Sequence, residues 1–429
     1  MTTRPEPLGR AFANIFTANL ASSLGDGIVR TAMPLLAARL TDDPLLISMI
    51  GALALLPWLF FAIPAGILID RIDRRRALAL AQAVRTALAA LTFVLVFTGT
   101  LTIWWLYLVV FVYGAFETVY DGAIRAVVPS IVGKANLPRA NSRVEAGELV
   151  VQNFLSGPLT SALFAVSVLI PVGINGLVFA LAGALALALP RAASGRQFAA
   201  TAESDEPRVA WYRQFVDGFR FIAGNRQLVT LWLFSTFCGI VSSAALASFV
   251  LFVLDTLAVP EPLFGVFLLS GAVGGLAGAL FANRLKGWLG TGLAMAIATT
   301  VSGLFILTTG LLPVVWAAAV SFALSSGAIT VWNILVMSLR QSIIPGRLLG
   351  RVHGTWRTLL WGAMPLGSLI GGLVARVDLA LPFIIFGALE VVASLVFFRF
   401  LMTLPNPEDV DNGDPLLPGP GPTDPTLQE

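Results

Sequence analysis

The chain has 429 residues, of which 57% are hydrophobic and 12% are charged, and its mean hydropathy is +0.86. A soluble protein carries about 25% charged residues, so most of this surface must face something other than water. A spanning helix needs about 20 apolar residues, and the chain can hold about a dozen of them. The composition therefore excludes a soluble enzyme and predicts an all-α integral membrane protein.

Charge and cysteine usage exclude further classes of protein. The formal net charge of +3 is too small to indicate a nucleic-acid partner. Cys238 and His353 are the only residues of their types, which excludes a disulfide framework and a metal site that needs two such ligands. We therefore expect no bound metal.

Apolar runs bounded by glycine, proline or charge predict twelve spans. They lie near 12–38, 45–69, 77–98, 103–124, 145–170, 172–190, 228–254, 262–283, 291–312, 314–338, 351–375 and 379–402. The strands of a membrane β-barrel alternate over about 10 residues, whereas these runs are continuously apolar. Because helices satisfy their own backbone groups in hydrocarbon, a helical bundle is predicted.

The distribution of basic residues predicts the topology. Arginine and lysine concentrate in alternate loops, and the opposite loops contain only Arg39 and Arg376. All basic loops share one side only if the number of spans is even and both termini are cytoplasmic. Arginine far outnumbers lysine, which is typical of GC-rich bacterial genomes. We therefore expect a bacterial plasma (inner) membrane protein with both termini in the cytoplasm.

A polar interruption at 191–227 divides the chain into two predicted six-helix bundles, at 1–190 and 228–402. Within the interruption, four apolar residues recur at helical spacing: Trp211, Phe215, Phe219 and Ile222. We interpret it as a cytoplasmic central loop with an amphipathic helix lying at the membrane surface. Residues 403–429 are acidic and rich in proline, and we predict a disordered tail.

Ordered matches between the two halves indicate an internal repeat. Asp70-Arg71 after the second span resembles Asn283-Arg284 after the eighth, and Pro158 in the fifth span matches Pro365 in the eleventh. Parallel halves related by an axis along the membrane normal place a site near the bilayer midplane. This pattern predicts a transporter with two pseudosymmetric bundles.

Residues 66–78, GILIDRIDRRRAL, resemble the signature between the second and third helices of the major facilitator superfamily, G-x-L-a-D-R-x-G-R-R-x-x-L. Asp73 stands where the signature has its second glycine. In the fifth span, Asn153, Gly157 and Pro158 are similar to the motif of 12-span drug:proton antiporters, a branch that includes macrolide and enterobactin exporters. The resemblance implies the superfamily's fold and alternating access.

The resemblance also implies a cytoplasmic gate. Its residues are Gly66, Asp70, Arg71, Arg74, Arg75 and Arg125. Asp70 would cap the start of the eleventh span, where a helix N-terminus favours a carboxylate. The arginines would pair with nearby acids and hold the two halves together on the cytoplasmic side.

Ionisable groups inside the spans each cost about 3 kcal/mol or more on insertion, so they are candidates for function. With their aromatic neighbours they are Asp26, Arg30, Tyr113, Glu117, Tyr120, Asp121, Glu148 and Arg357. We predict that Asp26 and Glu117 exchange protons and attract a cationic solute, and that the two tyrosines stack on it. Alternatively, the i,i+4 pairs Asp26–Arg30 and Asp121–Arg125 hold helices in register.

The remaining site predictions concern packing and cavity lining. Glu390 in the last span is interpreted as a packing or interfacial residue. Four side chains are expected to line a central cavity: Phe116, Phe237, Trp332 and Asn333.

The sequence contains neither a Walker loop nor G-x-S-x-G nor H-E-x-x-H, so we expect no enzyme and no cofactor, with an ion gradient as the energy source. We predict a monomer in the lipid bilayer that exports hydrophobic or amphipathic small molecules in exchange for protons. Two alternatives stay open, a proton-coupled importer of a small polar solute and a non-transporting membrane scaffold or sensor with a transporter fold.

Overall fold

The computed structural model describes residues 8–133, 136–194 and 211–410, and within these ranges the chain is helical, without strands. The helices are α1 (Gly9–Leu40), α2 (Pro44–Arg71), α3 (Arg74–Phe97), α4 (Ile103–Ile131), α5 (Leu137–Leu149), α6 (Ser156–Val166), α7 (Leu169–Leu187), α8 (Trp211–Gly224), α9 (Arg226–Ala245), α10 (Glu261–Leu311), α11 (Val315–Ile343), α12 (Gly346–Ala375) and α13 (Leu381–Met402). A π-helical turn, Val150–Leu155, joins α5 to α6. A short helical turn, Phe249–Leu251, continues into a second π-helical turn, Phe252–Thr256.

Ten segments of the described chain are long and apolar enough to cross a membrane, which confirms the all-helical membrane prediction. Helix α10 counts once among them although a non-helical residue, Gly290, divides it. Helix α1, which contains Asp26, Arg30 and several uncharged polar residues, is not among the ten. The number of twelve spans stays a prediction.

The chain divides into two compact units at boundaries that differ from the predicted ones at 190 and 228. The first unit comprises Met1–Pro207 and Ala247–Leu269, and the second comprises Arg208–Leu246 and Ser270–Glu429. Specific contacts explain why 247–269 joins the first unit. Arg39 Nη2 lies 2.6 Å from Glu261 Oε2, and the Gly265 backbone N–H donates to Ser161 Oγ at 2.8 Å.

Helix α8 lies at the sequence position of the predicted amphipathic helix. It packs within the second unit. Thr355 Oγ1 of α12 donates to the Phe215 carbonyl at 3.2 Å, and Arg351 Nη1 lies 3.5 Å from Asp217 Oδ2. Ile222 is buried whereas Phe219 is exposed. The Trp211 side chain lies outside the described residues.

Two glycines of α10 allow it to approach α11 closely. A Cβ on Gly274 would overlap the Ala323 carbonyl, and a Cβ on Gly278 would overlap that of Gly327. The small-residue spacing in this helix therefore serves close packing of two helices in hydrocarbon.

The predicted tail at 403–429 is wrong at its start, because residues 403–410 are held by side-chain contacts. Asn406 Oδ1 accepts from the backbone N–H of Thr291 at 2.9 Å, and Lys286 Nζ lies 2.5 Å from Glu408 Oε2. Residues 411–429 lie outside the described ranges.

We expect Gly290→Ala to lower the free energy of unfolding by about 1–3 kcal/mol. Gly290 has φ 77° and ψ 166°, a backbone conformation that is accessible to glycine almost alone. The matched control is Gly287→Ala, because a Cβ on Gly287 would meet no atom within 4 Å. Unfolding of both variants in mixed micelles measures the difference, and equal effects would contradict this interpretation.

Candidate functional site

A buried ion pair lies at the centre of the polar residues in the first unit. Arg85 of α3 is fully buried, and its Nη2 lies 3.0 Å from Asp26 Oδ1 of α1. Arg85 Nη1 also donates to Ser22 Oγ at 3.1 Å, and the Tyr113 hydroxyl of α4 donates to Asp26 Oδ1 at 2.5 Å. These contacts connect three helices through one carboxylate and one guanidinium.

Aromatic rings enclose the guanidinium of Arg85. Its Cζ lies 4.6 Å from the ring centroid of Tyr113, 5.1 Å from that of Phe179 and 5.4 Å from that of Tyr120. The two tyrosines predicted to stack on a solute cation thus lie within cation–π distance of a cation of the chain itself. Sequence reasoning missed Arg85, although a single arginine inside the apolar run 77–98 was a usable signal.

Arg30 and Glu117 form a second, looser pair. Arg30 Nη2 lies 3.7 Å from Glu117 Oε1, and the side chains are 60% and 17% exposed, respectively. The alternative pairing of Asp26 with Arg30 along α1 is therefore wrong, because each residue finds its partner on another helix. Asp121 and Arg125 also form no ion pair within the described chain, and Arg125 is exposed.

The other predicted residues of the first unit have packing or hydrogen-bonding contacts. Asn19 Nδ2 donates to Glu148 Oε1 at 2.8 Å, and Phe116 packs against the apolar core. A cavity beside Arg85 and Tyr113 measures about 10 Å³, room for about one water molecule. No group of metal-ligating side chains is found in the described ranges.

The predicted gate is described only in part. Gly66, Asp70 and Arg71 lie near the end of α2, and their side chains are outside the described residues. Arg74 Nη1 donates to the Ala126 carbonyl of α4 at 2.9 Å, and Arg75 Nη1 donates to the Leu189 carbonyl at 3.0 Å.

Asp73, which replaces a glycine of the signature, has a clear local role. Its carboxylate accepts from the Arg75 backbone N–H at 3.0 Å and so caps the start of α3. The same carboxylate lies 2.8 Å from Arg75 Nη2. The departure from the signature therefore fixes both the beginning of α3 and the direction of an arginine.

The second unit contains a cavity of about 440 Å³. Its lining includes Trp332, Asn333 and Arg357, all three predicted site residues. Phe237 is 41% exposed and is not among the lining residues of this cavity. The lining face of α9 is formed by positions 235, 238, 239 and 242, which follow i, i+3, i+4 and i+7, and position 237 falls off that face.

Glu390, interpreted from the sequence as a packing or interfacial residue, is buried and lines this cavity. The residue is 2% exposed, and Ser242 Oγ donates to its Oε2 at 3.3 Å. The tertiary structure turns Glu390 from α13 toward α9, which no periodicity of the nearly uniformly apolar α13 could indicate.

We expect removal of one partner of the Asp26–Arg85 pair to cost about 3–5 kcal/mol, because the other charge is then buried without compensation. Asp26→Asn and Arg85→Gln test this separately, and the double variant removes both charges. The double variant should be more stable than the sum of the two single losses predicts. Unfolding of the purified proteins measures the coupling, and simple additivity would show that the two charges do not interact.

Comparisons with known proteins agree with this architecture. The similar proteins include two curated relatives and one solved structure. Macrolide efflux protein A of Streptococcus pyogenes is 22% identical, over 90% of this chain and 94% of the relative. The enterobactin exporter EntS of Citrobacter koseri is 23% identical, over 95% of this chain and 96% of the relative. A solved nucleoside transporter, NupG, superposes with a TM-score of 0.72 at 14% identity, over 92% of this chain and all of that one.

The family comparison covers nearly the whole chain. The transmembrane secretion effector family matches residues 5–423. With the ten candidate spans, this match makes the chain a multi-pass membrane transporter. The chain belongs to the transmembrane secretion effector family of the major facilitator superfamily.

Proposed function

We propose that this chain exports hydrophobic or amphipathic small molecules in exchange for protons, by alternating access in the bacterial plasma membrane. Two relatives are named as a macrolide efflux protein and an enterobactin exporter, which supports export as the direction of transport. The basic loops support cytoplasmic termini.

The observation that carries proton coupling is the different environment of two acids in one cluster. Asp26 has its charge balanced by Arg85 at 3.0 Å, and both groups are buried. Glu117 is 3.7 Å from Arg30, whose side chain is 60% exposed. Water competes with the longer contact, so Glu117 can lose and regain its partner while the buried pair keeps the helices together.

This division of roles favours Glu117 as the proton carrier. A coupling residue must exchange its proton without unfolding the bundle, and an acid at the edge of the cluster meets that condition. Asp26, Tyr113 and Tyr120 then position α1 and α4 around it. Glu148 and Asp121 stay secondary candidates, since neither forms an ion pair within the described chain.

We expect Glu117→Gln to abolish proton-driven efflux while solute exchange without a gradient continues. Glutamine keeps the size of the side chain and one acceptor oxygen beside Arg30 but carries no exchangeable carboxyl proton. Inverted membrane vesicles with an acidic interior measure proton release when a macrolide or a catecholate siderophore is added. Solute counterflow in proteoliposomes measures the exchange.

The matched control is Glu145→Gln, which removes the same charge from an exposed position on α5. It should retain proton release in the same vesicles. Wild-type proton release by Glu117→Gln would refute the assignment, and uptake of solute into right-side-out vesicles would indicate an importer instead.

A further inference from the structure

The cavity of the second unit contains a buried guanidinium without a counterion among the described residues. Arg340, near the end of α11, is 8% exposed and lines the cavity. Its Nε and Nη1 atoms are buried and find no hydrogen-bond acceptor there. Its Nη2 contacts only a weak acceptor, Met337 Sδ, at 3.3 Å.

The acid in the same cavity does not compensate this charge. Glu390 accepts from Ser242, and no ion pair joins it to Arg340 in the described chain. Arg340 lies in the last turn of α11, where the helix dipole favours a cation but supplies no oxygen to Nε or Nη1. Burying an unpaired charge is unfavourable, so an anion entering the cavity would find donors that have no other partner.

The walls of the cavity are aromatic. Trp332, Trp356 and Trp361 line it, and the Arg340 guanidinium stacks on the Trp356 ring at 4.6 Å from its centroid. Arg357 stacks on Trp361 in the same way, at 4.1 Å. The volume of about 440 Å³ falls within the range of small-molecule sites. The cavity therefore offers flat apolar surfaces beside the positively charged guanidinium of Arg340.

We propose that this cavity binds an amphipathic aromatic solute that carries a carboxylate, and that Arg340 binds the carboxylate. The aromatic part packs against the tryptophan walls, and the anion supplies the acceptor that Nε and Nη1 lack. The inference rests on the proposed efflux function in one respect only, which is that the bound solute is the transported one. Binding itself needs no gradient.

This solute class differs from the cationic solute that the acids of α1 and α4 suggest by themselves. In the structure Asp26 and Glu117 each lie against a guanidinium, Arg85 and Arg30, so their charges are already balanced. Arg340, whose Nε and Nη1 lack an acceptor among the described residues, lines a cavity of adequate size, whereas Glu390 there accepts from Ser242.

Equilibrium dialysis of the purified full chain tests the proposal with three probes of one shape, naphthoate, naphthamide and naphthylmethylammonium. We expect naphthoate to bind at least about tenfold more tightly than the other two, as a charge-assisted hydrogen bond provides. Arg340→Gln should lower naphthoate affinity about tenfold or more and leave naphthamide unchanged. Arg340→Lys, which restores the charge, should recover part of the loss.

The matched control is Arg284→Gln. Arg284 is also stacked on an aromatic ring, that of Phe281, but it is exposed and does not line the cavity. The Arg284→Gln variant should bind naphthoate with the same affinity as the wild type. Naphthoate should also raise the melting temperature of the wild type but not that of Arg340→Gln, because ligand binding stabilises the folded state.

Three results would overturn the proposal: tighter binding of naphthylmethylammonium, unchanged naphthoate affinity in Arg340→Gln, or no naphthoate binding at millimolar concentrations. The outcome is separable from the efflux function. Wild-type proton release by Glu117→Gln would refute the proton coupling and leave naphthoate binding intact, whereas loss of the Arg340 effect would leave proton coupling intact.

Discussion

A charge that is buried inside a membrane protein must find its partner within the chain or in a ligand, because hydrocarbon offers none. The first unit obeys this constraint with its own residues. Arg85 forms an ion pair with Asp26, Arg85 also donates to the Ser22 hydroxyl, and the Tyr113 hydroxyl donates to Asp26. This ion pair and its hydrogen bonds therefore connect α1, α3 and α4.

In the proposed proton exchange, the same constraint separates a structural acid from an exchangeable one. A charge held by several short contacts cannot change its state without loosening three helices, and this describes Asp26. Glu117 has a single long contact with an exposed arginine and is free of that restriction. The spacing along α1 alone pairs Asp26 with Arg30, one turn away, and gives no partner for Glu117 on α4. The two acids differ because the Arg85 side chain of α3 reaches Asp26, whereas Glu117 lies beside Arg30.

The second unit obeys the constraint differently. Its buried carboxyl, Glu390, is hydrogen-bonded by a hydroxyl, and its buried guanidinium, Arg340, is left with an aromatic ring and a thioether. Both face a cavity large enough for a solute. A buried charge without a partner among the described residues is the physical reason to look for its partner in the ligand.

The sequence by itself determined the membrane class, the helical fold and the approximate position of nearly every helix, because apolar runs of spanning length leave no other solution. It also indicated the family, through residues 66–78, and it singled out Asp26 and Glu117 as candidate site residues. Tertiary structure alone decided the partners. A helical projection cannot show that Arg85 reaches Asp26, that 247–269 packs with the first unit, or that Glu390 turns into a cavity. Each of these facts depends on contacts between segments far apart in the chain, and hydropathy patterns record only which side of one helix is apolar.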